Sequence, residues 1–289
     1  MWTQVNARIS EAIGDRFEHR ESRSISGGCI NQGYRISDDR RTFFVKFNRA
    51  DQLAMFEAEA LGLSQMHEAQ AIRVPKPICY GVAETSAYLV LEWLDLGRPS
   101  AQSWLEMGRQ LARLHQFQKS TAFGWDRSNT IGSTPQINPW TRSWSEFFTQ
   151  YRIGYQLRLG AQKGGRFPNG DRLLEAIPKL LDGHTPQPAI VHGDLWSGNA
   201  ASTASGEPVI FDPATYWGDR EVDLAMTELF GGFGREFYRG YAEVFPTDEG
   251  YDRRKPLYNL YHLLNHFNLF GGGYESQANR TIEQILSSR

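Results

Sequence analysis

Cysteine is nearly absent. Only Cys29 and Cys79 occur in 289 residues, which excludes a disulfide framework and a zinc site built on thiolates. No apolar run approaches the ~18 residues of a membrane-spanning helix. The opening Met1-Trp2-Thr3-Gln4-Val5 lacks the basic-then-apolar order of a secretory leader. No block of like charge stands out. The 31 Lys plus Arg and 33 Asp plus Glu are dispersed and leave a net charge of −2, which argues against a nucleic-acid surface. Internal repeats and low-complexity tracts are missing as well. The chain therefore reads as cytoplasmic, with reduced thiols and with neither nucleic acid nor membrane as partner. Its length allows one large or two medium domains, and a hydrophobic fraction of 40% permits a sizeable core.

Two common nucleotide-binding signatures are also lacking. The turn around Gly27, Gly28 and Cys29 is not followed by Gly-Lys-Ser/Thr, so it is no Walker motif. A strand rather than a helix follows it, so it is no dinucleotide fingerprint. Glycines there still allow backbone to approach a phosphate, although alone the turn is an ordinary hairpin.

What is present centres on Ile190-Val191-His192-Gly193-Asp194-Leu195-Trp196-Ser197-Gly198-Asn199. An apolar strand breaks into a polar, glycine-containing loop. A second apolar run, Pro208-Val209-Ile210-Phe211, delivers Asp212. Asp194 and Asn199 are separated by four residues, and Asp212 follows thirteen residues after Asn199. This resembles the catalytic loop of the protein-kinase-like fold. One carboxylate, Asp194, orients and deprotonates the attacking hydroxyl. The amide oxygen of Asn199 and the carboxylate of Asp212 hold Mg²⁺ on the nucleotide phosphates. An isolated His-Gly-Asp triplet is no more than a buried aspartate bonded to loop amides; the spacing to Asn199 and Asp212 favours the functional reading.

Taken in order, Trp2, Val5, Ile9, Ala12 and Ile13 predict an amphipathic helix. Residues 23–36 read as strand, glycine turn and strand. In the strand Arg41 to Phe47, Lys46 stands among apolar residues, where its charge needs a partner. The next helix, with Leu53, Phe56, Ala60, Leu63 and Met66 on one face, offers Glu57 and Glu59. Strands from Ile78 to Val82 and Ala87 to Glu92 complete a small antiparallel sheet, with Cys79 expected in its core. Residues 93–99 read as a hinge between an amino-terminal nucleotide-binding lobe (1–92) and a helical catalytic lobe (100–289). Adenine is expected on backbone groups near Glu92 to Leu94. The helix from Trp104 ends at His115, read as structural beside the catalytic loop, with a proton relay as its other role. Residues 124–139 read as a loop on the acceptor side. Trp140, Trp144, Phe147, Phe148 and Tyr151 form a structural aromatic stripe, and Arg152 and Arg158 are expected in solvent. Further helices are expected at 171–181, from Asp219 or Arg220, at 237–244, at 256–270 and up to Leu286. Asp223 is expected to tie its helix to the catalytic loop.

Departures from protein kinases narrow the class. Gly193 replaces the arginine that anchors a phosphorylated activation loop. Ten residues between Asp212 and Asp223 are too few for an activation segment, and no Ala-Pro-Glu follows. These features resemble the small-molecule branch of the fold, that of aminoglycoside and choline kinases. Over nearly the whole chain a closer resemblance is to the fructosamine kinase (ketosamine 3-kinase) family. It rests on Gly27 to Ile30, Phe44-Val45-Lys46, Phe56 to Ala60, the Leu195-Trp196-Ser197-Gly198 filling, Phe211 to Ala214, Leu229 to Phe233 and Tyr261 to Phe270.

The resemblance implies an α+β, bilobal fold, with a small antiparallel-sheet lobe and a larger helical one. It implies ATP and Mg²⁺, with Glu59 as the partner of Lys46. It also implies phosphorylation of the sugar O3 of ketosamines, ribulosamine or fructosamine adducts on protein lysines or free amines, after which the adduct departs and the amine is restored. Trp196 is read as a substrate contact. Trp217 is read equally as substrate contact or core. Cys29 is a loop filler or a redox switch linking two chains, so monomer and homodimer both stay open. The rival readings are an aminoglycoside or choline kinase, and a non-catalytic nucleotide-binding module, which should lack one of the polar set.

Overall fold

Strand alternation organises the amino-terminal third, because both faces of its sheet are covered. A computed structural model describes residues 1–25 and 30–287; Gly27, Gly28 and Cys29 lie outside them. After helix α1 (Trp2–Ile13) come β1 (Glu21–Ile25), β2 (Gln32–Ser37) and β3 (Thr42–Arg49), then α2 (Leu53–Glu68), β4 (Pro77–Ala83) and β5 (Ser86–Glu92). The strands form one antiparallel sheet in the order β1-β2-β3-β5-β4. Phe43, Val45 and Phe47 of β3, with Tyr88 and Val90 of β5, pack with Val5 and Ile9 of α1. The intervening Ala87, Leu89 and Leu91 join Phe56, Ala60 and Leu63 of α2 in the larger core. Period two therefore turns Lys46 toward the α2 side of the sheet. Cys79 is half-buried against the α1 cluster rather than inside the core.

The expected linker at residues 93–99 is partly strand. Within it β6 (Leu96–Gly97) pairs with β10 (Ala200–Thr203), which pairs in turn with β11 (Pro208–Ile210). Helix α3 (Ala101–His115) follows, its start capped by Ser100, whose Oγ accepts from the Ser103 N–H at 3.1 Å. The expected loop at 124–139 contains a hairpin, β7 (Asn129–Ile131) and β8 (Thr134–Gln136). Its strands are three residues each, too short for periodicity to show. Helices α4 (Trp144–Phe147) and α5 (Tyr155–Gln162) are joined by a π-helical stretch, Phe148–Gly154. Then come α6 (Gly170–Leu180), β9 (Ala189–Val191), β12 (Tyr216–Gly218), α7 (Glu221–Leu229), α8 (Arg235–Val244), α9 (Tyr251–Phe270) and α10 (Tyr274–Ser287). Helix α9 begins five residues before the Pro256 start that the sequence suggests. Its first turns are fixed from outside by Arg254, which makes two 2.7 Å bonds to Glu221.

Arg152 corrects the solvent reading of the sequence. It is 0% exposed, with its guanidinium 4.0 Å from the Tyr216 ring centroid and 4.5 Å from that of Phe147. Helices α3 and α8 meet at two glycines. A Cβ on Gly108 would lie 2.0 Å from the Phe237 carbonyl oxygen, and one on Gly240 would lie 2.0 Å from that of Leu105. The backbones are in contact, so no side chain can relax away. Gly108→Ala is expected to lower the unfolding free energy by at least about 2 kcal/mol, at the level of an overpacked core. Urea midpoints measure it; an unchanged midpoint would show that the helices can separate freely.

Candidate active site

Lys46 is buried where β3, α2 and the segment after β11 converge. Its Nζ donates to Glu59 Oε1 at 2.7 Å and to Asp212 Oδ1. Burial works against the ammonium charge, but Asp212 and Glu59 outweigh it and hold the group above the ordinary lysine range. Glu57, the other glutamate on α2, faces outward and pairs with Arg127 at 3.2 Å. The geometry thus separates the two glutamates that the sequence offers. The carboxylate of Asp212 is 47% exposed, so part of it stays open to a further ligand.

The catalytic-loop candidate is built on backbone bonds to one buried carboxylate. Asp223 of α7 accepts the N–H of His192 at 2.7 Å and that of Gly193 at 2.8 Å. His115 meets the same carboxylate through Nε2 at 3.1 Å, and Tyr241 through Nδ1 at 2.8 Å. Burial alone would raise the Asp223 carboxyl; the His115 ring, the neighbouring His192 and the Gly193 N–H outweigh it and lower it. Asp223 thus ties α7 to the loop, and His115 serves it structurally. Gly193 adopts φ +80°, and a Cβ there would lie 2.2 Å from the Ala214 carbonyl oxygen. No other residue type fits both conditions.

His192 fixes the next turn. Its Nε2–H donates to the Phe211 carbonyl at 2.9 Å, leaving Nδ1 to accept the Asp194 N–H at 3.3 Å. Burial lowers its pKa and keeps this neutral tautomer. Asn199 Nδ2 donates to the Asp194 carbonyl at 2.9 Å and to Asp194 Oδ2 at 3.4 Å. That orientation leaves Asn199 Oδ1 without a donor among the described residues, an acceptor still open. Burial, and then the negative charge of Asp212, raise the Asp194 carboxyl to about 7, against the Asn199 bond. A carboxyl raised in this way is matched to proton transfer near neutrality.

The two tryptophans part company. Trp217 lies in β12, paired with Ile190 of β9, and is 5% exposed. The structure corrects its substrate reading: the indole fills the core. Trp196 is 41% exposed. Its ring rests on Gly198, where a Cβ would lie 2.2 Å from it. Gly232 packs on Ser197, bringing Leu229 to Phe233 beside the loop. Near it Phe230, His266, Phe270 and Tyr274 form an aromatic group, with Phe230 4.8 Å and Tyr274 5.1 Å from His266. Phe230, His266 and Phe270 lie in the motifs Leu229 to Phe233 and Tyr261 to Phe270 that carry the family resemblance, but only the fold brings them together with Tyr274.

On the nucleotide side, Glu92 ends β5 and its side chain pairs with Arg73 at 2.9 Å. Among the described residues nothing takes up the backbone N–H or C=O of Leu94. The glycine turn with Gly27, Gly28 and Cys29 lies outside the described residues.

This constellation is that of a small-molecule kinase of the protein-kinase-like fold. An aminoglycoside phosphotransferase in ternary complex with ADP and hygromycin B superposes with a TM-score of 0.66 at 15% identity, covering 98% of both chains, which speaks for the fold alone. The chain belongs to the fructosamine kinase family, whose model matches residues 1–288. A probable ketoamine kinase of Synechocystis sp. is 55% identical over 285 residues, 99% of this chain and 97% of the relative. The chloroplastic protein-ribulosamine 3-kinase of Arabidopsis thaliana is 45% identical over 268 residues, 91% and 82%. The crystal structure of a candidate fructosamine-3-kinase from Haemophilus somnus superposes with a TM-score of 0.92 at 34% identity over 99% of this chain and 98% of that one.

Helix α7 carries Asp223, so its start matters to the loop. His184 Nε2 meets Asp219 Oδ2 at 2.6 Å, beside Glu221. Burial lowers the imidazole pKa, but the bond and charge of Asp219, helped by Glu221, outweigh it and raise the value overall. The resulting stabilisation is present below the unfolded histidine value and is lost as pH rises through the elevated folded value. Wild type should therefore exceed His184→Asn in urea midpoint by more at about pH 5.5 than at about pH 9. An equal gap at both would mean that the charge of His184 contributes nothing.

Proposed function

We propose that this chain transfers the γ-phosphoryl group of ATP to the sugar O3 hydroxyl of ketosamines, ribulosamine or fructosamine adducts on protein lysines or free amines. The observation that carries the reading is the joining of Glu59 and the partly exposed Asp212 at the buried Lys46, with Asp194 and Asn199 on a Leu-Trp-Ser-Gly-filled loop. Phosphorylation makes the adduct labile and restores the amine, a deglycation repair.

Lys46, held by Glu59, neutralises phosphate charge. Gly27, Gly28 and Cys29 cover the phosphates, and adenine bonds to backbone at Glu92 to Leu94, within a hinge at 93–99 between lobes 1–92 and 100–289. The open Oδ1 of Asn199 and the partly exposed carboxylate of Asp212 are hard oxygen donors that fit Mg²⁺. What magnesium supplies when bound is charge neutralisation on the phosphate oxygens. Asp194 orients the O3 hydroxyl and takes its proton. Trp196 offers its indole face to the sugar or to the alkyl stem of the modified lysine. The reading belongs to a cytoplasmic enzyme, where ATP is at hand.

A phosphorylation panel with ATP and Mg²⁺ tests this reading, using ribulose-lysine, fructose-lysine, an aminoglycoside and choline. Transfer to a ketosamine is expected, and Asp194→Asn should lower its turnover by about 10²–10⁴-fold with the fold intact. Failure of both ketosamines, or near-normal turnover of the variant, would overturn the assignment. Monomer and homodimer are both compatible with this chemistry, and Cys29 is the candidate for a link between chains. On non-reducing gels an oxidised dimer of wild type that disappears in Cys29→Ser supports the link; a dimer in both removes it.

A further inference from the structure

Arg152 can only donate hydrogen bonds, and its side chain is fully buried. No carboxylate pairs with it among the described residues. Its Nη2 donates to Asn138 Oδ1 at 2.7 Å and its Nη1 to the Ile137 carbonyl at 2.9 Å. A buried cation held by amides and ring faces is costly, so its effect on those amides matters. Because Arg152 cannot accept, Asn138 must turn Oδ1 toward it and Nδ2 toward Asn129 Oδ1, 2.8 Å away. Asn129 must then present Nδ2 to the Thr215 carbonyl at 2.9 Å. A second chain starts at Tyr261, whose hydroxyl donates to Gln136 Oε1 at 2.6 Å. Gln136 Nε2 is thereby turned to Asn129 Oδ1 at 2.9 Å and to the Ala214 carbonyl at 3.0 Å.

The two chains end on consecutive carbonyls just after Asp212. The Ala214 N–H is taken as well, by the His192 carbonyl at 2.8 Å. Thr215 packs against Gly62 of α2, three residues beyond Glu59. Asp212 itself sits at φ +57°, a left-handed conformation uncommon outside glycine and one that persists where its surroundings over-determine it. The hairpin supplies that over-determination, and the donor-only Arg152 sets its direction.

We propose that Asn129 and Gln136, oriented by Arg152 and Tyr261, are positioning residues that hold Asp212 in the conformation in which it binds a divalent cation with the nucleotide. The inference rests on the reading of Asp212 as a metal ligand. It assigns to the hairpin a role at the phosphate side of the reaction, where the sequence suggested the acceptor side.

The test measures Mn²⁺ affinity in the presence of ADP by electron paramagnetic resonance, with turnover and thermal midpoint on the same samples. Asn129→Asp replaces the donor facing Thr215 with an oxygen of nearly the same shape. It should weaken Mn²⁺ binding by about 10–100-fold, the usual effect of disturbing a metal's supporting residues, and lower kcat while the KM for the ketosamine stays put. Asn138→Asp gives Arg152 a carboxylate partner, so its midpoint should hold or rise, yet it removes the donor to Asn129 and should still weaken Mn²⁺ binding. A purely structural role predicts the opposite for this second variant. Wild-type Mn²⁺ affinity in folded Asn138→Asp overturns the proposal, even where Asn129→Asp fails to fold. Asp212→Ala separates the two levels: if it keeps Mn²⁺ affinity, the metal reading itself fails, whereas if it alone loses affinity, only the positioning chain fails.

Discussion

A buried ammonium with two carboxylates is the constraint on which the molecule depends. Lys46 cannot be charged in the interior without partners, and its partners come from helix α2 and from the segment after β11. Removing the ammonium would leave the buried Glu59 carboxylate without its counter-charge, a loss of about 3–5 kcal/mol for buried pairs in general. The sheet, α2 and the Asp212 segment are therefore held to one arrangement by electrostatics as well as by packing. The alternation that sends Phe43, Val45 and Phe47 to α1 is the same alternation that sends Lys46 to α2.

The second half of the site is fixed by backbone bonding. Asp223 takes two consecutive N–H groups of the loop, His192 takes the Phe211 carbonyl through its ring, and Asn199 folds its amide back on Asp194. Asp223 and His192 are satisfied within this system. Among the described residues, the Oδ1 of Asn199 and part of the Asp212 carboxylate keep acceptor capacity. Acceptor capacity left beside a satisfied network is where the proposed cation fits.

The polar centre was legible in the sequence because phosphoryl chemistry demands particular groups at particular spacings. Lys46, Asp194, Asn199 and Asp212 could be read in this way, and the major helices followed from their apolar period. Arg152 could not be read. Its partners are carbonyls, an amide and ring faces, so no charge complement in the chain betrays it. A weak signal did exist, since Arg152 continues the four-residue spacing of Trp144 and Phe148 and so lies on the buried face of that stretch. The hairpin at 129–136 and strand β12 escaped notice because three residues carry no measurable alternation. For that reason the residue pattern leaves Trp217 even between core and substrate contact, and its burial in β12 decides for the core. Gly193 was read through the arginine it replaces, whereas its necessity comes from the Ala214 carbonyl beside it, a contact distant in sequence.

The brevity of the stretch between Asp212 and Asp223 carries a consequence for how such an enzyme is governed. Both ends are anchored, one through Ala214 to the catalytic loop and the other through Asp223 to the same loop. A segment pinned at both ends offers no long loop that a covalent mark could release or dock. Regulation by repositioning this segment is thereby closed, and any control over the enzyme acts elsewhere in the chain, on its amount or through the supply of damaged amines.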